Sequence, residues 1–417
     1  MDLVASFKQA VHNDDAPALR RLFIDHPEMK ARADQPIFQF DSPAIVIAAS
    51  RGNREIVDAL LAAGANIDAR SNWWAGGFGV LDHDRHEIIP YLMERGAMVD
   101  AYAAARHGMI DTLRKLVDAN PEVVHMRGGD GQTPLHVASS VEIARFLLDR
   151  GADIDARDVD HESTPAQYLV RSQPEVLRYL IERGCKTDIL MGAAAGDGEV
   201  VRRHLDDDPE SIRARVDEMY FPMQDKRAGG TIYFWTLGKH RSPHQVASSF
   251  GHENVLQLLL ERTPEDLKFV QACATGDAVT AKATLARDAG QAHDFARANA
   301  HHVSNAAEDN NTAAVRLMLE CGWPITGDGR QTPLHWACWH GNVEMTREIL
   351  RFHPPLDFLD AEHHATPFGW AVHGSQHGWN RETGEFGPTV QALLDAGAVL
   401  PPDADGSEAI RKVLRSR

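Results

Sequence analysis

The sequence predicts an all-α solenoid of about twelve stacked helix-turn-helix units, and three observations predict it. Blocks opening on Thr-Pro or Ser-Pro recur: QTPLHVASS from Gln132, STPAQYLV from Ser163, RSPHQVASSFGHENVLQLLL from Arg241, QTPLHWACWHGNVEMTREIL from Gln331 and ATPFGWAVHG from Ala365. A second signature, GANID from Gly64, GAMVD from Gly96, GADID from Gly151 and GAV from Gly397, recurs between them. The spacing is steady: 32 positions from Gly64 to Gly96, 33 from Gly151 to Gly184, 34 from Thr332 to Thr366. A period near 33 marks a chain that grows by stacking units, each burying the apolar face of the one before.

Within a unit the elements follow from local chemistry. Thr-Pro opens the first helix, because Pro lacks the N–H that the first turn leaves unused and Thr can cap it. A pair of small Ala residues lets that helix pack close to its neighbour. The following Gly permits a left-handed turn. The second helix carries a wider apolar stripe, as at Ile56, Val57, Leu60 and Leu61. Gly-Ala-Asp/Asn ends it and turns the chain toward the next unit. Inter-helix turns are expected near Asp14, Gly52, Asp84, Gly108, Ser140, Ser172, Gly196, Gly251, Gly276, Asn310, Gly341 and Gly374.

The TPLHxA start and the period resemble the ankyrin-repeat family, and AASRGNREIVDALLAAGANID, ending at Asp68, resembles it too. The resemblance runs nearly end to end. It implies a capping unit at 1–34, repeats at 35–212, an insertion at 213–241 with a possible hairpin arm, repeats at 242–400 interrupted at 373–388, and a tail at 401–417. The tail has a basic end, Arg411, Lys412, Arg415 and Arg417, read as a solvated helix terminus.

Composition narrows the functional classes. The net charge is −17, from 60 acidic and 43 basic residues, a field that disfavours nucleic acid and anionic membranes. No stretch approaches a membrane span of about 20 apolar residues, and the N-terminus lacks a secretory signal. The four cysteines, Cys185, Cys273, Cys321 and Cys338, form no CxxC pair and read as core thiols in a reducing compartment. These features point to the cytoplasm, and a monomer is expected.

Three breaks interrupt the repeat, and breaks are where function can be grafted. SNWWAGGFGVLDHDRHEI, from Ser71, replaces the Thr-Pro start with Trp73, Trp74 and a His/Asp group. The stretch from Arg213 to His240 carries Gly229-Gly230 and then Ile232, Tyr233, Phe234 and Trp235, the pattern of a hairpin arm. HGSQHGWNRETGEFGP, from His373, separates the two helices of the last full unit. Aromatic insertions of this kind either plug the solenoid or wall a ligand.

In ankyrin repeats the positions just before the inter-helix Gly commonly face the concave groove. Carried over, that register forms two clusters. The first joins Trp73, Trp74, Asp82, His83, Arg106 and His107. The second joins Glu308, Asp309, Trp339, His340, His373, His377 and Trp379. Trp235 is a further candidate for ligand contact. Two functions follow. One is a scaffold recognising a protein on its concave face. The other is an acid/base enzyme for a sugar-like or aromatic small molecule, with Glu308 or Asp309 as base, His340 or His373 as acid, and Trp339 and Trp379 as wall.

His136 and His335, the His of TPLH, are expected to bond the neighbouring turn, as the resemblance implies. Gln167, Gln245 and Gly369 stand in their place elsewhere. No metal or cofactor is expected: adjacent histidines such as His301-His302 and His363-His364 diverge on a helix, HExxH and Cys/His zinc spacings are absent, and His161-Glu162 reads as a turn before a cap. Neither AGGFG from Ala75 nor RAGG from Arg227 is a phosphate-binding loop, and no GxSxG elbow occurs.

Overall fold

A computed structural model describes residues 2–400 and 405–415. Arg417 and the start of the tail lie outside the described residues. The fold is all-α, with no strand among the described residues and one isolated bridge, Phe38 to Ser42. The chain divides into two compact units, 1–259 and 260–417.

In the first unit, helix pairs such as Leu3–His12 with Ala16–Asp25, Ala44–Ser50 with Arg54–Ala62, and Ala101–Arg106 with Ile110–Ala119 repeat the expected pattern. In the second, Glu265–Thr275 pairs with Ala278–Arg287, Pro333–His340 with Val343–Leu350, and Pro367–His377 with Phe386–Asp395. An additional helix, Ala289–Ala298, follows the first of these pairs, and Glu408–Arg415 closes the described chain with Ile410 buried. Ile56, Val57 and Leu60 are fully buried, whereas Leu61 is only half-buried. All four cysteines are free and buried.

The Thr-Pro starts cap as their chemistry demands. The Thr133 N–H donates to His136 Nδ1 at 3.0 Å, and His136 Nε2 donates to the Ser163 carbonyl of the next turn at 3.1 Å. His335 repeats this with Thr332 and the Ala365 carbonyl. The TPLH histidine therefore ties its own cap to the neighbouring turn. Gln167 and Gln245 keep the local half, accepting from the Thr164 and Ser242 N–H groups at 2.9 and 3.0 Å.

Buried aspartates organise the turns between units. Asp158 accepts from the His161 and Ser163 N–H groups and from the Tyr168 hydroxyl. Asp360 accepts from the Glu362, His363 and Ala365 N–H groups and from the Trp370 indole.

Three expectations need correction. Residues 213–241 form no hairpin arm: Tyr233–Thr236 is one helical turn, held by Thr236 N–H to Ile232 O and Leu237 N–H to Tyr233 O. Tyr233 anchors it, fully buried with its hydroxyl 2.9 Å from Asp188 Oδ2, so its backbone satisfies itself and needs no strand partner. Gly374 is not an inter-helix turn, because Pro367–His377 runs through it. A Cβ there would sit 2.5 Å from the Trp339 carbonyl oxygen, so this glycine serves close approach of two first helices. The unit near Asp84 has lost its first helix: residues 71–85 are loop, followed by a 3₁₀ turn at His86–Ile88 and the helix Ile89–Glu94.

Candidate functional site

In the 1–259 unit the first two breaks meet. The insertion docks on the turn at 158–163 through backbone chemistry. Gly229 N–H donates to the Asp160 carbonyl at 2.9 Å, Ile232 N–H to Ser163 Oγ at 3.1 Å, and the Gln224 and Asp225 N–H groups to the Glu162 carboxylate. His161 answers with its ring: Nδ1 donates to the Gly230 carbonyl at 2.8 Å. Trp235 is 61% exposed, and its ring lies 4.8 Å from that of His161.

The loop of the first break arrives from the other side. Trp73 and Trp74 lie 6.2 Å apart, and the Arg227 guanidinium of the insertion stacks 4.2 Å over Trp74. The Trp73 indole is turned toward the Asp130 carboxylate, without a hydrogen bond of full geometry. Asp130 is held against the same turn, its carbonyl accepting from the Val159 and Asp160 N–H groups at 2.8 and 3.2 Å. One ligating atom each from Asp130, Asp160 and His161 falls within a span of 4.8 Å. Burial pushes the Asp130 carboxyl above its usual range; His161 counteracts this, while Asp160 and Asp158 add to it.

The remaining residues of the first predicted cluster are engaged in internal contacts. Asp82 is buried, accepting from the Arg70 guanidinium at 2.5 Å and the Gly79 N–H at 2.8 Å. His83 stacks on Phe78, and burial pulls its pKa down to about 4. Arg106 pairs with Asp84 and donates to the Tyr102 hydroxyl. His107 Nε2 donates to the Leu81 carbonyl, and its Nδ1 faces His86 Nδ1 at 3.1 Å. These contacts replace the packing of the missing helix, so Asp82 is withdrawn from any ligand-facing surface.

In the 260–417 unit the second predicted cluster gathers most of its members. Trp339 stacks on His373 at 5.8 Å, His373 meets His377 at 4.5 Å, and Trp379 meets Trp339 at 5.9 Å and Trp336 at 6.1 Å. Trp379 is 62% exposed. His340 is buried with both ring nitrogens bonded: Nε2 donates to the Glu308 carbonyl at 2.8 Å, and Nδ1 accepts from the Asn380 amide at 3.1 Å. Glu308 thus meets the patch through its backbone, and Asp309 is the exposed cap of helix His301–Glu308. His340 has no free nitrogen for proton transfer in this arrangement.

Sequence reading missed Asp130, Asp160 and His161 as a group. A signal was present. Asp130 and His161 each stand three residues before the Thr of a Thr-Pro start, Thr133 and Thr164. Equivalent positions in consecutive units become neighbours when units stack.

Models of ankyrin repeats match residues 42–72, 101–191 and 303–347. Those stretches of the chain are ankyrin repeats. Ankyrin repeat and SAM domain-containing protein 6 of Mus musculus is 26% identical over 133 residues, 31% of this chain and 15% of that protein. B-cell lymphoma 3 protein of Homo sapiens is 36% identical over 89 residues, 20% of each. This ankyrin-repeat chain therefore matches only a small part of each relative's length. The human ASB11 ankyrin repeat domain aligns over 73% of this chain and 100% of its own, at 16% identity and a TM-score of 0.29. No helix among the described residues is long and apolar enough to cross a membrane.

Proposed function

We propose that this ankyrin-repeat protein is a binding scaffold, acting as a cytoplasmic monomer, that recognises a protein partner on the groove side of its first helices. The observation that carries the reading is the aromatic patch of the 260–417 unit. There Trp336, Trp339, His373, His377 and Trp379 form a run of ring faces, and His373, His377 and Trp379 are exposed. Exposed aromatic faces attract cations and apolar side chains together. The chain's net charge of −17 favours approach of a basic partner. A partner segment bearing Arg or Lys fits both.

The convergence of the first two breaks supports a second reading, a small ligand held between Trp73, Trp74 and Trp235. The acid/base enzyme built on Glu308 or Asp309 with His340 or His373 has less support, because His340 has both nitrogens bonded and only His373 is left as the acid.

Position-dependent photo-crosslinking in the source cells tests the scaffold. A photoreactive residue at His377 should give a discrete adduct with a basic protein, and one at Arg347, exposed on the second helix Val343–Leu350, should not. Equal labelling from both positions, or none from His377, would refute the groove-side patch. Thermal stabilisation by a small metabolite, lost in Trp235→Ala, would favour the second reading.

A further inference from the structure

We propose that Asp130, Asp160 and His161 form a site for a first-row divalent transition ion such as zinc, and that the ion fastens the 213–240 insertion to the repeat. The site is distinct from the aromatic patch of the 260–417 unit. Its donor set is one imidazole nitrogen and two carboxylates, with ligating atoms within 4.8 Å of one another. His161 Nε2 and Asp160 Oδ2 are 3.7 Å apart. Bonds of about 2.0–2.2 Å to a shared zinc ion place two ligand atoms roughly 3–4 Å from each other.

Two further observations point to a ligand. Asp160 is only 7% exposed, and its buried Oδ1 meets no hydrogen-bond donor. A buried carboxylate oxygen left without a partner is costly unless something positive completes it. His161 also has the tautomer that metal ligands adopt. Its Nδ1–H is committed to the Gly230 carbonyl, which leaves the Nε2 lone pair on the Asp160 side. A ligating His ordinarily donates its other N–H to a backbone carbonyl in this manner. Gly229 allows the approach, since a Cβ there would lie 3.3 Å from His161 Cε1.

Three protein ligands leave a fourth position for water. Trp235 flanks His161, and Trp73 faces Asp130. Because His161 holds Gly230 and the Asp160 carbonyl holds Gly229, an ion gripping both side chains stiffens the root of the insertion.

The test uses the full chain, stripped with chelator and titrated with zinc ion. Calorimetry should show one equivalent absent from a His161→Ala, Asp160→Asn chain. The single Asp130→Asn change should weaken binding by more than the ~10–100-fold that loss of an outer-sphere partner costs. Zinc should also slow tryptic cleavage after the exposed Lys226 and Arg227 in the wild type only, with circular dichroism showing that every variant keeps its helices. If the double variant unfolds, Asp130→Asn alone decides by the same two readouts. Equal zinc uptake by wild type and variants overturns the site. Zinc uptake that does not alter cleavage overturns the fastening.

Discussion

The Arg227 guanidinium lies 4.2 Å over the face of Trp74, joining two breaks in the repeat that are about 150 residues apart in the chain. That contact, with the backbone bonds of the insertion to Glu162, Ser163 and Asp160, makes the insertion a docked element of the first unit. Trp74→Ala removes the ring face. Tryptic cleavage after Lys226 should become faster while the main thermal transition stays in place. Unchanged cleavage would mean that the backbone bonds alone hold the segment.

Stacking is tested at Leu60, fully buried on the second helix Arg54–Ala62, in preference to the half-buried Leu61. Leu60→Ala should cost about 2–5 kcal/mol. Leu60→Asp should cost more, since it adds an uncompensated charge between repeats. Urea unfolding checks both. A Leu60→Asp chain that unfolds with the parent would show that this helix does not face its neighbours.

His136 makes stability depend on pH. Burial holds its pKa down to about 3, although the Ser163 carbonyl works in the opposite direction. An unfolded His titrates near 6.5. Between these values the unfolded chain binds a proton that the folded chain refuses, so its contribution is complete above pH 6.5 and is lost as pH falls toward 3. The slope is about 1.4 kcal/mol per pH unit. His136→Gln should remove that slope, so urea midpoints of the two chains should converge as pH drops from 7 to 4. Parallel curves would contradict a neutral buried His136.

Gly374 is tested by adding one methyl group. Gly374→Ala should push the helices Pro333–His340 and Pro367–His377 apart against the Trp339 carbonyl, at about 1–3 kcal/mol. The near-ultraviolet dichroism of the tryptophan patch should change with it. An unaltered spectrum and midpoint would show that the helix pair has slack.

The solenoid was legible because its rules are local and repeated. Thr-Pro caps, paired alanines and Gly-Ala-Asp turns each state one unit's geometry, and where they recur they agree. Gly374 misled for a physical reason: a glycine that clears a neighbouring backbone looks, in sequence, like one that turns the chain. Ile232, Tyr233, Phe234 and Trp235 read as a strand by propensity, yet the Asp188 carboxylate offered Tyr233 a buried partner and the segment coiled around it. Trp73, Trp74 and Trp235 were visible as exceptions to the repeat. Their convergence on Asp130, Asp160 and His161 was not, because a turn in one unit, a turn in the next and an insertion much farther along meet only after stacking.

The scaffold reading stands or falls on Trp379, and the direct measurement is a pairwise comparison of Trp379→Ala with wild type. Its melting midpoint and its affinity for the protein crosslinked from position 377 are read together. An exposed recognition side chain predicts a stability change under about 1 kcal/mol with at least a tenfold loss of affinity, about 1.4 kcal/mol of binding. A lowered midpoint with affinity intact would make Trp379 a lid on its own repeat and would contradict recognition through this patch.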